Sequence, residues 1–125
     1  MIRLVLPIYY QTTRSKVIFA ALNWYRNVHY QTNNKVKKFV AQIIEDNIEG
    51  EPILEGKLHV HFCVYFKRRG GDGGNVRSVM EKYALDGIKK AGFIVDDNFE
   101  VIVSDSSEYH LDRKNPRIEI TITKK

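Results

Sequence analysis

The stretch KLHVHFCVYFK, residues 57–67, alternates large apolar side chains with polar or small ones along its length. Every second residue from Leu58 to Phe66 is apolar, and this period of two is typical of a β-strand that buries one face. The residues between them would point to the other face, and they are His59, His61, Cys63 and Tyr65. The stretch therefore predicts a strand at the centre of the fold.

Further strands and helices follow from the same patterns on either side of this strand. Alternation predicts strands over residues 2–7, 99–106 and 117–123, and apolar spacings of three and four predict helices over 35–49 and 75–93. Asn75 is a natural cap and Gly92 a natural stop for the second helix. Gly87 within that helix indicates close packing. We expect a two-layer α+β fold, in which a small mixed or antiparallel sheet carries the helices on one face.

The composition is that of a single globular domain over residues 1–125, with no linker or repeat. Its formal net charge of +5 indicates an anionic partner, most simply nucleic acid. One cysteine forms no intrachain disulfide, and neither a signal peptide nor a membrane-spanning stretch is evident. We expect a soluble, cytoplasmic protein with no membrane partner.

Acidic residues flank the second predicted helix in a pattern that suits a divalent cation. RRGGDGGN, residues 68–75, sets Asp72 among glycines, and Asp96 and Asp97 follow the helix. Hard carboxylate oxygens favour Mg²⁺, with Mn²⁺ as a substitute. Helical spacing also places Lys82 and Asp86 on one polar face. The alternative is that Asp96–Asp97 is an ordinary turn and that Lys82–Asp86 is an exposed ion pair.

The run DGGNVRSVMEKYALDGIKKAGFIVDDN, residues 72–98, resembles the RusA-type Holliday junction resolvases, especially their phage-encoded members. Their pattern has an Asp before an Asn, a helix with Lys and Asp, then Ala-Gly-hydrophobic and a closing Asp-Asp. The upstream segments LNWYRNVHYQT (22–32) and NKVKK (34–38) and the last predicted strand also look like the family, so the resemblance covers most of the chain.

The resemblance implies a small homodimeric, Mg²⁺-dependent endonuclease that resolves four-way DNA junctions by paired phosphodiester nicks in recombination and repair. It further implies a bacterial or phage-infected cell as the setting, and no small-molecule cofactor. Matched residue by residue, it assigns catalytic roles to Asp72, Lys82 and Asp97. It assigns metal-binding roles to four aspartates: Asp72, Asp86, Asp96 and Asp97.

One position departs from the family pattern, because Gly74 stands where the second acid of its Asp-x-Asp-Asn motif is expected. Either Asp86 or a water replaces that ligand, or metal affinity is weakened, or the protein binds junctions without cutting them well. A functional variant is the favoured interpretation, and a non-catalytic branched-DNA binding protein is the alternative.

DNA-contacting residues are expected among the basic side chains and beside the motif. Arg68 and Arg69 flank Asp72, where phosphates would approach, although a solvated strand end is the alternative interpretation. Tyr25 and Tyr30 are candidates for stacking on unpaired bases, whereas Trp24 is expected in the core. The DNA-binding candidates are Arg26, Lys67, Arg68, Arg69, Asn75 and Arg77.

His59, His61 and Cys63 on the central strand admit two interpretations. The two histidines share one face and so form a possible metal pair, but no third ligand is near them in the sequence. Partly buried or dimer-facing histidines and a packed cysteine are therefore the favoured interpretation.

Overall fold

The structure, a computed structural model, describes residues 1–14, 16–48, 50–70 and 73–125. Within these residues the chain forms six strands and three helices. In chain order they are β1 Ile2–Pro7, β2 Tyr9–Thr13, β3 Lys16–Phe19, α1 Leu22–Asn27, α2 Tyr30–Ile48, β4 Leu58–Phe66, α3 Gly73–Lys90, β5 Ile102–Leu111 and β6 Arg117–Lys124.

Four of the strands form one mixed sheet in the order β1-β6-β4-β5. β6 lies antiparallel between β1 and β4, whereas β4 and β5 run parallel and are joined through α3. A parallel pair needs such a long crossover, and its helix then packs back on the sheet. β2 and β3 form a separate antiparallel hairpin. The predicted two-layer α+β architecture is confirmed.

The helices cover the face of the sheet that the alternation of β4 predicts to be buried. Val60, Phe62 and Val64 are fully buried, and in β6 they meet Ile122, Ile120 and Ile118 in register. Burying these side chains, at about 25 cal/mol for each Å² of apolar surface, is the main force that holds the layers together. The other face of β4 carries half-buried polar side chains, together with the buried Cys63.

The helix predicted over 35–49 begins earlier, since α2 starts at Tyr30. Its buried stripe is Val36, Val40, Ile44 and Ile48. The first turns carry only polar side chains and Tyr30, which is 66% exposed, so no apolar period marks them. This explains why the hydrophobic pattern placed the start of the helix too late.

The end of α3 is as predicted, but its start is not. Gly92 takes a φ of +85°. Its N–H donates a hydrogen bond to the carbonyl of Lys89, and the N–H of Phe93 donates to the carbonyl of Ile88. These two bonds form a Schellman motif, which satisfies the last carbonyls of the helix. Asn75, however, lies inside the helix as its third residue, so its assignment as the cap is wrong.

Residues 8–33, which show no clean period, hold the β2–β3 hairpin and α1. The hairpin contributes Tyr10 and Ile18 to the core, each only 4% exposed. Trp24 is half-buried and packs against the core, close to what the sequence suggested. These elements are short and mix polar with aromatic residues, so their hydrophobic periodicity is too weak to predict a strand or a helix.

The strand predicted over 99–106 is displaced towards the C-terminus, because β5 spans Ile102–Leu111. The side chain of Asn98 accepts hydrogen bonds from the N–H groups of Glu100 and Val101, at 3.0 and 3.3 Å. Its carbonyl accepts from the N–H of Ile102 at 2.8 Å, so the chain turns here before it extends.

No helix within the described ranges is both long and apolar enough to span a membrane.

Gly87 lies where α3 crosses α2, as its position inside the helix predicted. A methyl group at this position would lie 2.6 Å from Cδ1 of Ile44, so the end of this buried side chain would have to shift within the core. We expect Gly87→Ala to destabilise the protein by about 1 kcal/mol, because overpacking of about 1–3 kcal/mol exceeds a helix-propensity gain of about 1 kcal/mol. Denaturant unfolding measures this change.

The same substitution in an Ile44→Val background tests the cause, because valine lacks Cδ1. There, Gly87→Ala should be neutral or stabilising, which gives a coupling energy above about 0.5 kcal/mol. Additive effects of the two substitutions would refute the close contact.

Candidate functional site

A cleft of about 330 Å³ brings together three of the residues that the sequence singled out. Lys82 and Asp86 come from one face of α3, and Asp97 comes from the loop that follows it. The remaining lining side chains come from all three helices and are Tyr25, Lys37, Tyr83 and Lys90. Lys82 and Asp86 were expected to be neighbours from their spacing of four, but their meeting with Asp97 depends on the tertiary fold.

The turn after α3 carries Asp97 back to the helix. After the Schellman motif at Gly92 the chain reverses, and Ile94 forms a parallel bridge with Leu54. The N–H of Leu54 donates to the carbonyl of Phe93 at 3.0 Å, which anchors the turn against the rest of the protein. Asp97 therefore lies beside α3, which precedes it in sequence. No helical periodicity predicts this proximity, because Asp97 lies outside the helix.

Each carboxylate in the cleft already has a lysine partner. Asp86 Oδ2 lies 3.0 Å from Lys90 Nζ, one helical turn further on. Asp97 Oδ1 lies 3.7 Å from Lys89 Nζ. Because these groups are partly exposed, such pairs are weak and exchange readily with solvent ions. Lys82 has no carboxylate partner among the described residues, and its Nζ lies 5.0 Å from the centre of the Tyr25 ring.

Asp96 shapes the turn and does not line the cleft. Its Oδ1 accepts a hydrogen bond from the backbone N–H of Asp97 at 2.7 Å, and its Oδ2 accepts from the Asn98 amide at 3.2 Å. It also lies 3.3 Å from Lys89 Nζ. The bonds from Asp97, first of all, and from Lys89 hold the pKa of Asp96 below its usual value. Asp96 thus behaves as an ionised turn residue, close to the alternative interpretation from the sequence.

Asp72 lies outside the described residues, and Asn75 lies at the far end of α3 from the acidic pair. The helix has 18 residues and is therefore about 27 Å long. Asp96 and Asp97 both contact Lys89 in its last turn. The described part of the chain does not bring Asn75 to these two acids, and Asp86, Asp96 and Asp97 do not converge there as a three-carboxylate metal site.

Arg77, a predicted DNA contact, is held by the protein itself. Its Nη2 lies 3.0 Å from Asp105 and 3.7 Å from Glu81, and its guanidinium lies 4.6 Å from the centre of the Phe62 ring. The side chain is only 21% exposed. Arg77 therefore fastens the start of α3 to β4 and β5, and a DNA contact by this residue stays a prediction.

Three further basic candidates form a continuous exposed surface at the end of β4. Lys67, Arg68 and Arg69 line a groove of about 410 Å³ together with Arg113. Arg113 belongs to the turn between β5 and β6, and no sequence pattern predicts its place here because it lies far from Lys67 along the chain. We call these four residues the basic groove. Because all four of these described lining residues are basic, the groove suits an anionic partner.

Arg26 lies beside the Lys82 cleft and away from the basic groove. It lines a neighbouring hollow of about 500 Å³ with Tyr25, Lys82 and the exposed Tyr30. Tyr25 meets the buried Tyr83 edge-on at 5.8 Å, and this contact fixes the ring over which Lys82 lies. Arginine and aromatic side chains in one open hollow are suited to stacking on unpaired bases.

No protein-family model matches this chain, and no curated protein matches it. The resemblance of residues 72–98 to the RusA-type resolvases therefore stays a prediction.

Proposed function

We propose that the protein is a Mg²⁺-dependent endonuclease of the RusA-like type that nicks four-way DNA junctions in the cytoplasm of a bacterial or phage-infected cell. The observation that supports this most directly is the cleft, where Lys82 and Asp86 of α3 face Asp97 of the following loop. Three of the residues that the resemblance assigns to one reaction thus share one surface depression, although they come from two segments.

The donor atoms of the cleft are of the type that Mg²⁺ requires. Asp86 and Asp97 provide carboxylate oxygens, and Mg²⁺ is commonly held by one or two carboxylates with waters and substrate phosphate. When bound, the ion would lower the pKa of a water and stabilise negative charge on the phosphodiester. Lys89 and Lys90 would have to release the two carboxylates, which their partial exposure makes inexpensive.

Lys82 has the position of a group that stabilises charge in the reaction. Hydrolysis adds water oxygen to phosphorus and breaks a phosphorus–oxygen bond, so negative charge increases on the phosphate oxygens and on the leaving oxygen. Lys82 Nζ, held over Tyr25 with no acidic partner in the described part of the chain, is free to offset that charge.

The basic groove and the Arg26 hollow would hold the DNA arms and the unpaired bases. A homodimer would match the twofold symmetry of a four-way junction and provide one cleft for each nicked strand. Sedimentation of the free protein measures whether it is a dimer, and a monomer both free and bound to a junction would refute this part of the proposal.

A second function, binding of branched DNA without cleavage, is favoured by the lysine partners of the acids. Asp86 and Asp97 each contact a lysine, so the charges of these two carboxylates are already compensated without a metal. Gly74 also stands where the family pattern has an acid. Metal-independent junction binding with a steep dependence on salt is the behaviour that this alternative predicts.

The deciding experiment incubates an end-labelled four-way junction and a matched linear duplex with the protein, in Mg²⁺ and in EDTA. Symmetric nicks in the junction alone, and only with the metal, are expected for the endonuclease. Tight junction binding without nicks in Mg²⁺ or Mn²⁺ would establish the binding protein. No preference for the junction over the duplex would refute both functions.

The basic groove makes a separate prediction about salt dependence. Replacing both Arg68 and Arg69 by alanine removes two charges that would contact phosphates. We expect weaker binding to every DNA structure and a slope of log affinity against log salt that is smaller by about 2. Electrophoretic mobility shifts or fluorescence anisotropy at several salt concentrations measure the slope.

Lys57→Ala is the control for this measurement, because Lys57 precedes β4 at the opposite end of the strand from the groove. It should leave the slope nearly unchanged. If the double alanine variant has the salt slope of the wild type, the basic groove is not the DNA-binding surface.

A further inference from the structure

The face of the sheet that the helices leave open carries a cluster of side chains around Glu108. His61 Nε2 lies 3.1 Å from Glu108 Oε2, Cys63 Sγ lies 3.8 Å from it, and His110 Nε2 lies 4.0 Å from it. The register of the parallel β4–β5 pair creates this arrangement, because Cys63 stands opposite Glu108 and residues two apart share a face.

We propose that Cys63, Glu108 and His110 form a binding site for Zn²⁺ on the open face of the sheet. One ligand atom from each of these side chains lies within 4.8 Å of the other two. In a tetrahedral zinc site with bonds of about 2.0–2.3 Å, ligand atoms are separated by about 3.3–3.8 Å. The required closure is small, and the side chains of Glu108 and His110 are both exposed, so no buried packing opposes it.

The ligand types select zinc over magnesium. Thiolate and imidazole are poor ligands for Mg²⁺ but suit Zn²⁺ and similar transition metals, and one carboxylate completes a common mixed set. Three protein ligands leave a fourth position for water. The site is independent of the proposed nuclease cleft, which lies among the helices on the other side of the sheet.

Neighbouring side chains orient two of the three ligands. The ring of His110 stacks on that of Tyr65, with centroids 5.2 Å apart, and this contact restrains the imidazole. His61 contacts Glu108 through Nε2, while its Nδ1 lies 2.6 Å from Ser106 Oγ. Such a hydrogen-bonded partner fixes the direction of a metal ligand, so we assign His61 a positioning role.

Glu108 is also the carboxylate of this face that remains open to a metal. Glu119, which stands opposite Cys63 on the β6 side, is held by Arg117 at 2.8 Å and by Arg3 at 3.2 Å. No arginine or lysine among the described residues lies within ion-pair distance of Glu108. Because two arginines hold Glu119 on β6, the carboxylate ligand beside Cys63 is Glu108 on β5.

The first test uses the untagged, reduced chain of residues 1–125 without any substitution. Cys63 is the one cysteine of the chain, so alkylation with iodoacetamide reports on this thiol alone. We expect one equivalent of Zn²⁺ to slow alkylation at least about tenfold, because a metal-bound thiolate is a poor nucleophile. We also expect Co²⁺ to produce a thiolate-to-metal charge-transfer band that Zn²⁺ displaces. An unchanged alkylation rate in saturating Zn²⁺ would overturn the proposal.

Variants then test the ligand set by competition with a chromogenic chelator, after far-UV circular dichroism has confirmed folding. Cys63→Ser should abolish the charge-transfer band, and Glu108→Gln and His110→Ala should weaken Zn²⁺ binding at least about tenfold. His61→Ala should weaken it about 10–100-fold, as expected for a residue that orients a ligand.

His59→Ala is the matched control, since His59 shares the face, but its hydrogen-bond partners in the described part of the chain are Ser104 and Ser106, at 2.6 and 3.0 Å, and it does not contact Glu108. It should bind Zn²⁺ like the wild type. If His59→Ala weakens binding as much as His110→Ala does, the metal binds surface histidines without specificity and the proposed site is wrong.

Discussion

Replacing Asp97 by asparagine is expected to abolish Mg²⁺-dependent nicking of a four-way junction, with a loss of at least about 10²-fold in the single-turnover rate. The amide keeps the size of the side chain but removes the charge that a hard cation requires. Junction binding should be unchanged or tighter, because a negative charge leaves a surface that phosphates approach. Parallel cleavage and mobility-shift assays measure the two effects separately.

The substitution should not unfold the protein. Asp97 pairs with Lys89 through side chains that are 36% and 41% exposed, so losing this pair changes the unfolding free energy by less than about 1 kcal/mol. The thermal midpoint therefore serves as an internal check that lost cleavage is a property of the site.

Asp46→Asn is the matched control for charge. Asp46 lies on the exposed side of α2, where its carboxylate contacts Gln42 at 2.9 Å, and it does not line the cleft. This variant should cleave at the wild-type rate. If Asp97→Asn also cleaves at that rate, Asp97 is not a metal ligand and the assignment of the cleft fails.

The second large effect concerns the core, where we expect Phe62→Ala to lower the free energy of unfolding by about 3–5 kcal/mol. The Phe62 side chain is completely buried in the middle of β4, between the sheet and α3. Its ring also lies 4.6 Å from the Arg77 guanidinium, so its removal leaves both a cavity and an unsupported arginine. A domain of this size is stable by about 5–15 kcal/mol, so the loss is a large fraction of the total.

Denaturant unfolding measures this change as a lower midpoint at constant m-value. Phe62→Leu is the control, because it keeps most of the buried volume and should cost clearly less. A loss below about 1 kcal/mol for the alanine variant would contradict the packing of Phe62 beneath α3.

Strong periodic patterns made the main elements of the fold predictable. The alternation in β4 and β6 identified both strands and their buried faces. Apolar residues at every second position match the geometry of a strand and do not match the spacing of a helix. The apolar spacing of α3 likewise identified its buried side. Gly92 marked the end of that helix, because the Schellman motif needs a residue with positive φ. Elements without a period, such as α1 and the β2–β3 hairpin, were not recognised.

The candidate site was only partly predictable, for a related reason. Lys82 and Asp86 are neighbours by local geometry, so their spacing of four was sufficient. The approach of Asp97 to Lys89 and to the cleft, and the contribution of Arg113 to the basic groove, depend on side-chain direction and on contacts between separate segments. No local pattern carries that information.

The open face shows the same division within a single strand. The alternation of residues 57–67 alone predicts that His59, His61 and Cys63 share one side of β4, because side chains alternate along any strand. The parallel pairing of β5 with β4, in a register that sets Glu108 opposite Cys63, is visible only in the folded protein. That register is determined by how α3 crosses over and packs on the sheet, a sum of many weak contacts between segments distant in sequence. Local residue patterns therefore determined the faces, and long-range packing determined which faces meet.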